Sequence, residues 1–219
     1  MCCVPLFRPL FPWVCLAALM IPRAWAQTNL VANADFSAKE PLEGWRTAFP
    51  HEGWYTNNVS YVKVVPDPVQ GTRPCVEISL PPGIAGNQGG KIESAFIRAE
   101  PGATYQVEVD CLTWDFSAKL HVEVYTADPS PKPQPSKFRV PAGNGLPALV
   151  MCHRAQLPDP PARSKQWSTV SREFKLPEKV QVRGEEKAPE YLVLKAVVYE
   201  GTMGAGKSYF TNFRLRRAQ

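Results

Sequence analysis

Histidine is scarce in this chain. Only three occur in 219 residues, His51, His121 and His153. No His-x-x-x-His and no Cys-x-x-Cys is present, so the spacing of a structural zinc site is missing. Cys152 and His153 adjoin, but neighbours along a strand point to opposite faces, which argues against a nucleophile–base pair. Cysteine is also sparse. Of six, Cys2, Cys3 and Cys15 precede residue 27, and Cys75, Cys111 and Cys152 follow it, an odd number that leaves at least one thiol unpaired. Cys75 and Cys111 both lie in strand-like text, compatible with a bridge or with two buried thiols. No segment has helical periodicity and no internal repeat is present. Beyond residue 26 there is no apolar run of the roughly 20 residues a membrane span requires.

Charge of one sign is lacking as well. The formal net charge is +5. Arg8 and Arg23, with no acid beside them, lie in the first 26 residues, so the remainder carries +3. That balance is too mild for a nucleic-acid partner. Lys and Arg are scattered, apart from Arg214, Arg216 and Arg217 near the end, which read as a solvated basic tail. The first 26 residues read as a secretory signal: Arg8, an apolar run from Pro9 to Pro22, and the small-x-small site Ala24-Trp25-Ala26. Cleavage is expected after Ala26, with Gln27 the new N-terminus and a secreted or periplasmic destination.

What the chain has in quantity is alternation. Tyr105, Val107, Val109 and Cys111 face one way and Gln106, Glu108 and Asp110 the other; Leu120, Val122 and Val124 alternate with His121, Glu123 and Tyr125. Such period-two runs indicate half-buried antiparallel strands, launched here by the turn residues Pro101-Gly102. These two strands read as a pair on which the others pack. Further strands are expected at Val59–Val65, Cys75–Leu80, Lys91–Arg98, Trp167–Leu176 and Ser208–Arg217. The nearly continuous apolar stretch Tyr191–Tyr199 reads as a central strand buried on both faces. Residues 127–165 are Pro-rich and low in pattern apart from Leu149–Met151, and read as a long loop; residues 181–190 read as a charged loop. The expectation is one all-β domain over 27–219, an antiparallel β-sandwich or jelly roll.

Gly201-Thr202-Met203-Gly204-Ala205-Gly206-Lys207-Ser208 matches the phosphate-loop pattern. That motif works through a following helix N-terminus, whereas Tyr209–Leu215 alternates as a strand. The expectation is therefore a hairpin turn and no nucleotide. Glu108, Asp110 and Glu123 are the candidates for a carboxylate pair; lacking a tight acidic cluster, they read as a solvated face. Asn58-Val59-Ser60 is an N-glycosylation acceptor in a eukaryotic source and a strand start in a bacterial one.

The aromatic residues suggest a ligand. Sugar rings stack their C–H faces on flat aromatic rings, while their hydroxyls need amides and carboxylates. Trp45 and Trp167 introduce strands and read as core. Trp54, Tyr55, Trp114 and Tyr125 are the stacking candidates, and Asn87 and Gln88 of the Gly-rich loop the polar ones.

The order Asn29-Leu30-Val31-x-Asn33-x-Asp35-Phe36, Gly44-Trp45, Ile92-x-Ser94, Pro101-Gly102-x-Thr104-Tyr105, Trp167, Phe174-x-Leu176-Pro177 and Phe210-Thr211-Asn212-Phe213-Arg214-Leu215 resembles the galactose-binding-like carbohydrate-binding modules of families four and nine. The resemblance implies a jelly roll that binds a poly- or oligosaccharide without catalysis, often beside a glycoside hydrolase. It also implies a structural calcium, for which Asn33 and Asp35 are the remaining oxygen ligands, since Thr211 stands where the family has Asp. The fold also serves in structural or adhesion modules that bind protein or a cell-envelope partner, and in jelly-roll glycosidases or lyases.

Overall fold

The structure is a computed structural model that describes residues 28–49, 58–81, 89–114, 118–130, 138–199 and 206–218. In chain order its strands are β1 (Trp45–Arg46), β2 (Val62–Pro66), β3 (Pro74–Leu80), β4 (Gly90–Ser94), β5 (Ile97–Arg98), β6 (Thr104–Thr113), β7 (Ala118–Ala127), β8 (Arg139–Val140), β9 (Leu149–Gln156), β10 (Ser168–Lys175), β11 (Val180–Val182), β12 (Glu185–Lys187), β13 (Tyr191–Val198) and β14 (Gly206–Arg217). A 3-10 turn, Asn58–Tyr61, precedes β2. Among the described residues no helix is long and apolar enough to cross a membrane.

Two antiparallel sheets face each other. The front sheet runs β1-β4-β13-β7-β9-β8, with β5 also on β13, and the back sheet runs β10-β6-β14-β3-β2. Alternation directs Leu120, Val122 and Val124 of β7 and Leu192, Leu194 and Ala196 of β13 inward. They meet Val107, Val109 and Cys111 of β6 and Phe210 of β14 in one apolar core. The two strands read as a pair are thus not partners: β6 pairs β10 and β14, whereas β7 pairs β13 and β9. A chain that turns from one sheet into the other keeps the same alternation as a hairpin, because both bury one face. Tyr191–Val198 is the central strand expected, flanked by β4 and β7 and buried at every position.

The opening segment closes one end of the sandwich. Asn29 donates to Phe213 O, and Phe213 N–H donates to Ala34 O. The rings of Phe36, Trp45 and Phe213 then meet, with centroids 5.1 Å apart for the first two and 4.6 Å for the last two. A bulge between Thr211 and Arg214, with Asn212 at φ 50°, shifts the phase of β14 so that Phe210 and Phe213 are both buried. The residues carrying the family resemblance are, in this part, packing residues.

Residues 127–165 are not loop throughout. Leu149–Gln156 pairs with β7 from His121 to Ala127, and Arg139–Val140 pairs with β9. The alternation of β9 was hidden by a bulge opposite Val124/Tyr125, which turns Cys152 onto the core and leaves His153 exposed. Between β8 and β9, Asn144 (φ 51°) and Gly145 (φ 78°) make a tight turn bridged by Gly143 and Leu146. Positive φ at both central residues is the geometry Asn-Gly favours in hairpins. The charged 181–190 stretch likewise folds as the hairpin β11–β12 around Arg183 and Gly184, also both at positive φ. The chain after Lys207 is strand, as expected, so the helix a phosphate loop rests on is replaced by β14.

Candidate functional site

The outward face of the front sheet carries an ion-pair chain. Glu93 on β4 accepts from Arg46 (2.6 Å), and its carboxylate lies 3.1 Å from both Lys91 and Lys195. Lys195 lies 3.3 Å from Glu123 on β7, which also accepts from Arg154 (2.6 Å) and from the hydroxyl of Tyr125 (2.8 Å). Strand register produces this: Lys195 stands opposite Glu93 on one side and His121 on the other, and Glu123 opposite Arg154. Burial alone would raise the Glu93 carboxyl, but Lys195, Lys91 and Arg46 together hold it down at about 2. Glu123 is fully buried and is no part of a solvated face. Glu108 and Asp110 lie on the other sheet, held by Arg214 and by Arg73, Thr169 and Asn212. The three acids therefore do not converge.

At the end of this face where β7 stops and β13 starts, a cleft of about 740 Å³ opens. β1, the β4–β5 corner and the Asn144-Gly145 turn form its walls. Phe96 and Tyr191 line it, their rings 5.8 Å apart and edge-on. Each ring carries a guanidinium: Arg46 lies 4.5 Å from the Phe96 centroid and Arg98 4.4 Å from that of Tyr191. Tyr125 lies beneath, edge-on to Phe96 at 5.6 Å, and only 2% exposed. As a stacking residue it is a correction: its ring is covered and its hydroxyl is committed to Glu123.

Trp114 is half-buried on the back sheet, edge-on to Tyr209 at 6.3 Å, with the Lys165 ammonium 5.5 Å from its ring. It belongs to a small outer cluster with Cys75, Leu112 and Trp167, whose Nε1 donates to Asp67. The sandwich thus places Trp114 and Tyr125 on opposite outer faces. Trp45 is core, as expected. Trp54, Tyr55, Asn87 and Gln88 lie outside the described residues.

Asn33 and Asp35, the residues expected to offer oxygens to a calcium, both bond within the opening segment. Asn33 turns its amide N–H groups on Pro41 O and Glu43 O, and its oxygen accepts from Ala38 N–H. Asp35 accepts from Ser37. Among the described residues no three His, Cys, Asp or Glu side chains gather. Asn58 is no glycan acceptor in the folded chain. It is buried, donating to Thr47 O and Lys91 O and accepting from Lys91 N–H.

Sequence reasoning passed over Arg46, Phe96, Arg98, Asn144 and Tyr191. The usable signals were the Asn-Gly pair and the charges spaced by two on neighbouring strands, Lys91/Glu93 and His121/Glu123, around a lysine inside an apolar strand.

No protein-family model matches the chain, and no curated protein matches it by sequence. Solved structures match by fold. A protein from Bacteroides thetaiotaomicron, provisionally named as sugar-binding, superposes with a TM-score of 0.50 at 8% identity, over 87% of this chain and 100% of its own. What the two share is the fold, an all-β antiparallel sandwich. An arabinose-bound GH51 α-L-arabinofuranosidase superposes with a TM-score of 0.53 at 12% identity, over 87% of this chain and 26% of its own. The CBM22-1–GH10 modules of Clostridium thermocellum endo-1,4-β-D-xylanase 10B, complexed with xylohexaose, follow at 0.48 and 11%, over 88% of this chain and 28% of theirs. This chain spans about a quarter of the length of those two enzyme chains.

Proposed function

We propose that the chain is a non-catalytic glycan-binding module that takes a poly- or oligosaccharide into the front-sheet cleft. The observation that carries this reading is the cleft itself, a concave site of about 740 Å³ walled by Phe96 and Tyr191, with Arg46, Arg98 and Asn144 as hydrogen-bonding groups. Its described lining holds no carboxylate, whereas glycoside hydrolysis ordinarily uses two; this favours binding over bond-breaking. The fold agrees, since a protein provisionally named as sugar-binding shares it. On this reading residues 1–26 direct export, and the module works outside the cytoplasm beside a separate glycoside hydrolase or a cell-envelope component.

Affinity electrophoresis through gels containing different soluble polysaccharides tests the proposal. Retardation by at least one glycan is expected, weakened more than tenfold by Phe96→Ala. A chain retarded by none would overturn it and favour the protein-binding alternative.

A further inference from the structure

Resting on the glycan reading, we propose that the cleft selects an anionic sugar, a uronic acid whose carboxylate is held by Arg98 and Arg46. Two features of the cleft lead there. First, two of the rings in its lining each carry a guanidinium, Arg46 against Phe96 and Arg98 against Tyr191. A guanidinium braced on a ring has already lost part of its rotamer freedom, and its forked donors match a carboxylate in bidentate fashion. Second, donors exceed acceptors among these groups. Arg98 is exposed and has no carboxylate partner among the described residues. Arg46 spends one nitrogen on Glu93, while its Nε is buried with no hydrogen-bond acceptor. A buried donor without an acceptor is costly, and a small shift of the Arg46 side chain would let a ligand oxygen relieve it.

Glu93 fixes Arg46 in place rather than cancelling the site, because its charge is shared with Lys91 and Lys195. A neutral sugar would leave Arg98 with water or hydroxyl acceptors only. A carboxylate offers it a charge-assisted pair, roughly twice as strong as a neutral hydrogen bond. Asn144, exposed at the tip of its turn, can orient the neighbouring hydroxyls.

The test compares a polyuronate with the same polymer after chemical reduction of its carboxyl groups, by titration calorimetry on the purified chain. Dextran sulfate serves as a general polyanion. The expected result is at least tenfold tighter binding of the polyuronate than of its reduced form. Both Arg98→Gln and Arg98→Lys should remove that preference, since Lys keeps the charge but not the fork, and because Arg98 is exposed neither should shift the thermal midpoint. Equal binding of the two polymers would overturn the inference while leaving glycan binding intact. Dextran sulfate bound as tightly as the polyuronate, with Arg98→Lys indifferent, would overturn it in favour of general charge attraction. Failure of every glycan to bind would remove both readings.

Discussion

His121 shows what one residue on the front-sheet face does to the whole stability curve. Burial pushes its imidazole from 6.5 down to about 4, helped by the charge of Arg154 and opposed by Glu123. Lys195 and Lys119 push in the same direction as Arg154. The folded chain therefore keeps His121 neutral where the unfolded chain protonates it. Stability is complete above pH 6.5 and falls as pH drops towards 4, by on the order of 2–3 kcal/mol from this group. Urea melts across pH 4–7 should show that slope, and His121→Gln should flatten it. Glu93 and Asp67, both held at about 2, lose their contribution only lower, as pH falls from the ordinary carboxylate range towards 2. The neighbouring Glu123 is a second residue-scale test. Glu123→Gln leaves Lys195 and Arg154 facing a neutral amide in a buried site, and breaking such a pair costs about 3–5 kcal/mol. A denaturation midpoint close to wild type would show that the ion-pair chain contributes little. The three described thiols need no such test of charge, since burial lifts Cys75 to about 12 and Cys111 and Cys152 to about 11. All three stay protonated, hence unreactive, until the chain opens.

At the scale of elements, the edge of the front sheet depends on one side chain. Asn58 ends the segment after β1 by bonding to both the N–H and the C=O of Lys91, at 2.7 Å each. Asn58→Ala would strand two buried backbone groups and cost about 2–4 kcal/mol, whereas loss of an attached glycan would cost little. Mass spectrometry of chain made in a glycosylating host should find Asn58 unmodified, since the acceptor amide is enclosed. The same scale explains what the sequence showed and what it hid. Strands whose alternation is unbroken were legible: β6, β7, β10 and β13 were expected within a few residues of where they lie. A bulge hides more: β14 is a strand where Ser208–Arg217 alternates, but its shift of phase, which buries both Phe210 and Phe213, does not show, and the Met151-Cys152-His153-Arg154 run of β9 reads as patternless because one residue is inserted against β7. Register was hidden too. Nothing local says that Lys195 will stand opposite Glu93, so the charged face was read as solvated when it is largely closed. Residue type alone likewise does not reveal a cleft whose Arg46 and Arg98 come from two strands and whose Asn144 comes from a turn.

The whole molecule keeps its two outer faces apart, and this separates two accounts of where a ligand sits. Residue type alone points to Trp114, an indole beside polar side chains. The fold puts Trp114 on the back sheet, against Tyr209 and under the Lys165 ammonium, with the apolar core between it and the front-sheet cleft. Trp114→Ala should then lower stability by about 2 kcal/mol, the share of a large-to-small loss that a half-buried ring carries. It should leave glycan affinity within twofold, because no group of the cleft touches it. Phe96→Ala should do the reverse to affinity, since Arg46 loses the ring that holds its guanidinium flat. Measuring both variants by calorimetry against one retarding polysaccharide decides the matter at this scale. If Trp114→Ala abolishes binding while Phe96→Ala spares it, the ligand lies on the back sheet and the cleft reading fails, whatever sugar is bound. The opposite pattern assigns recognition to the front sheet and leaves the back-sheet aromatics to hold Cys75, Leu112 and Tyr209 covered.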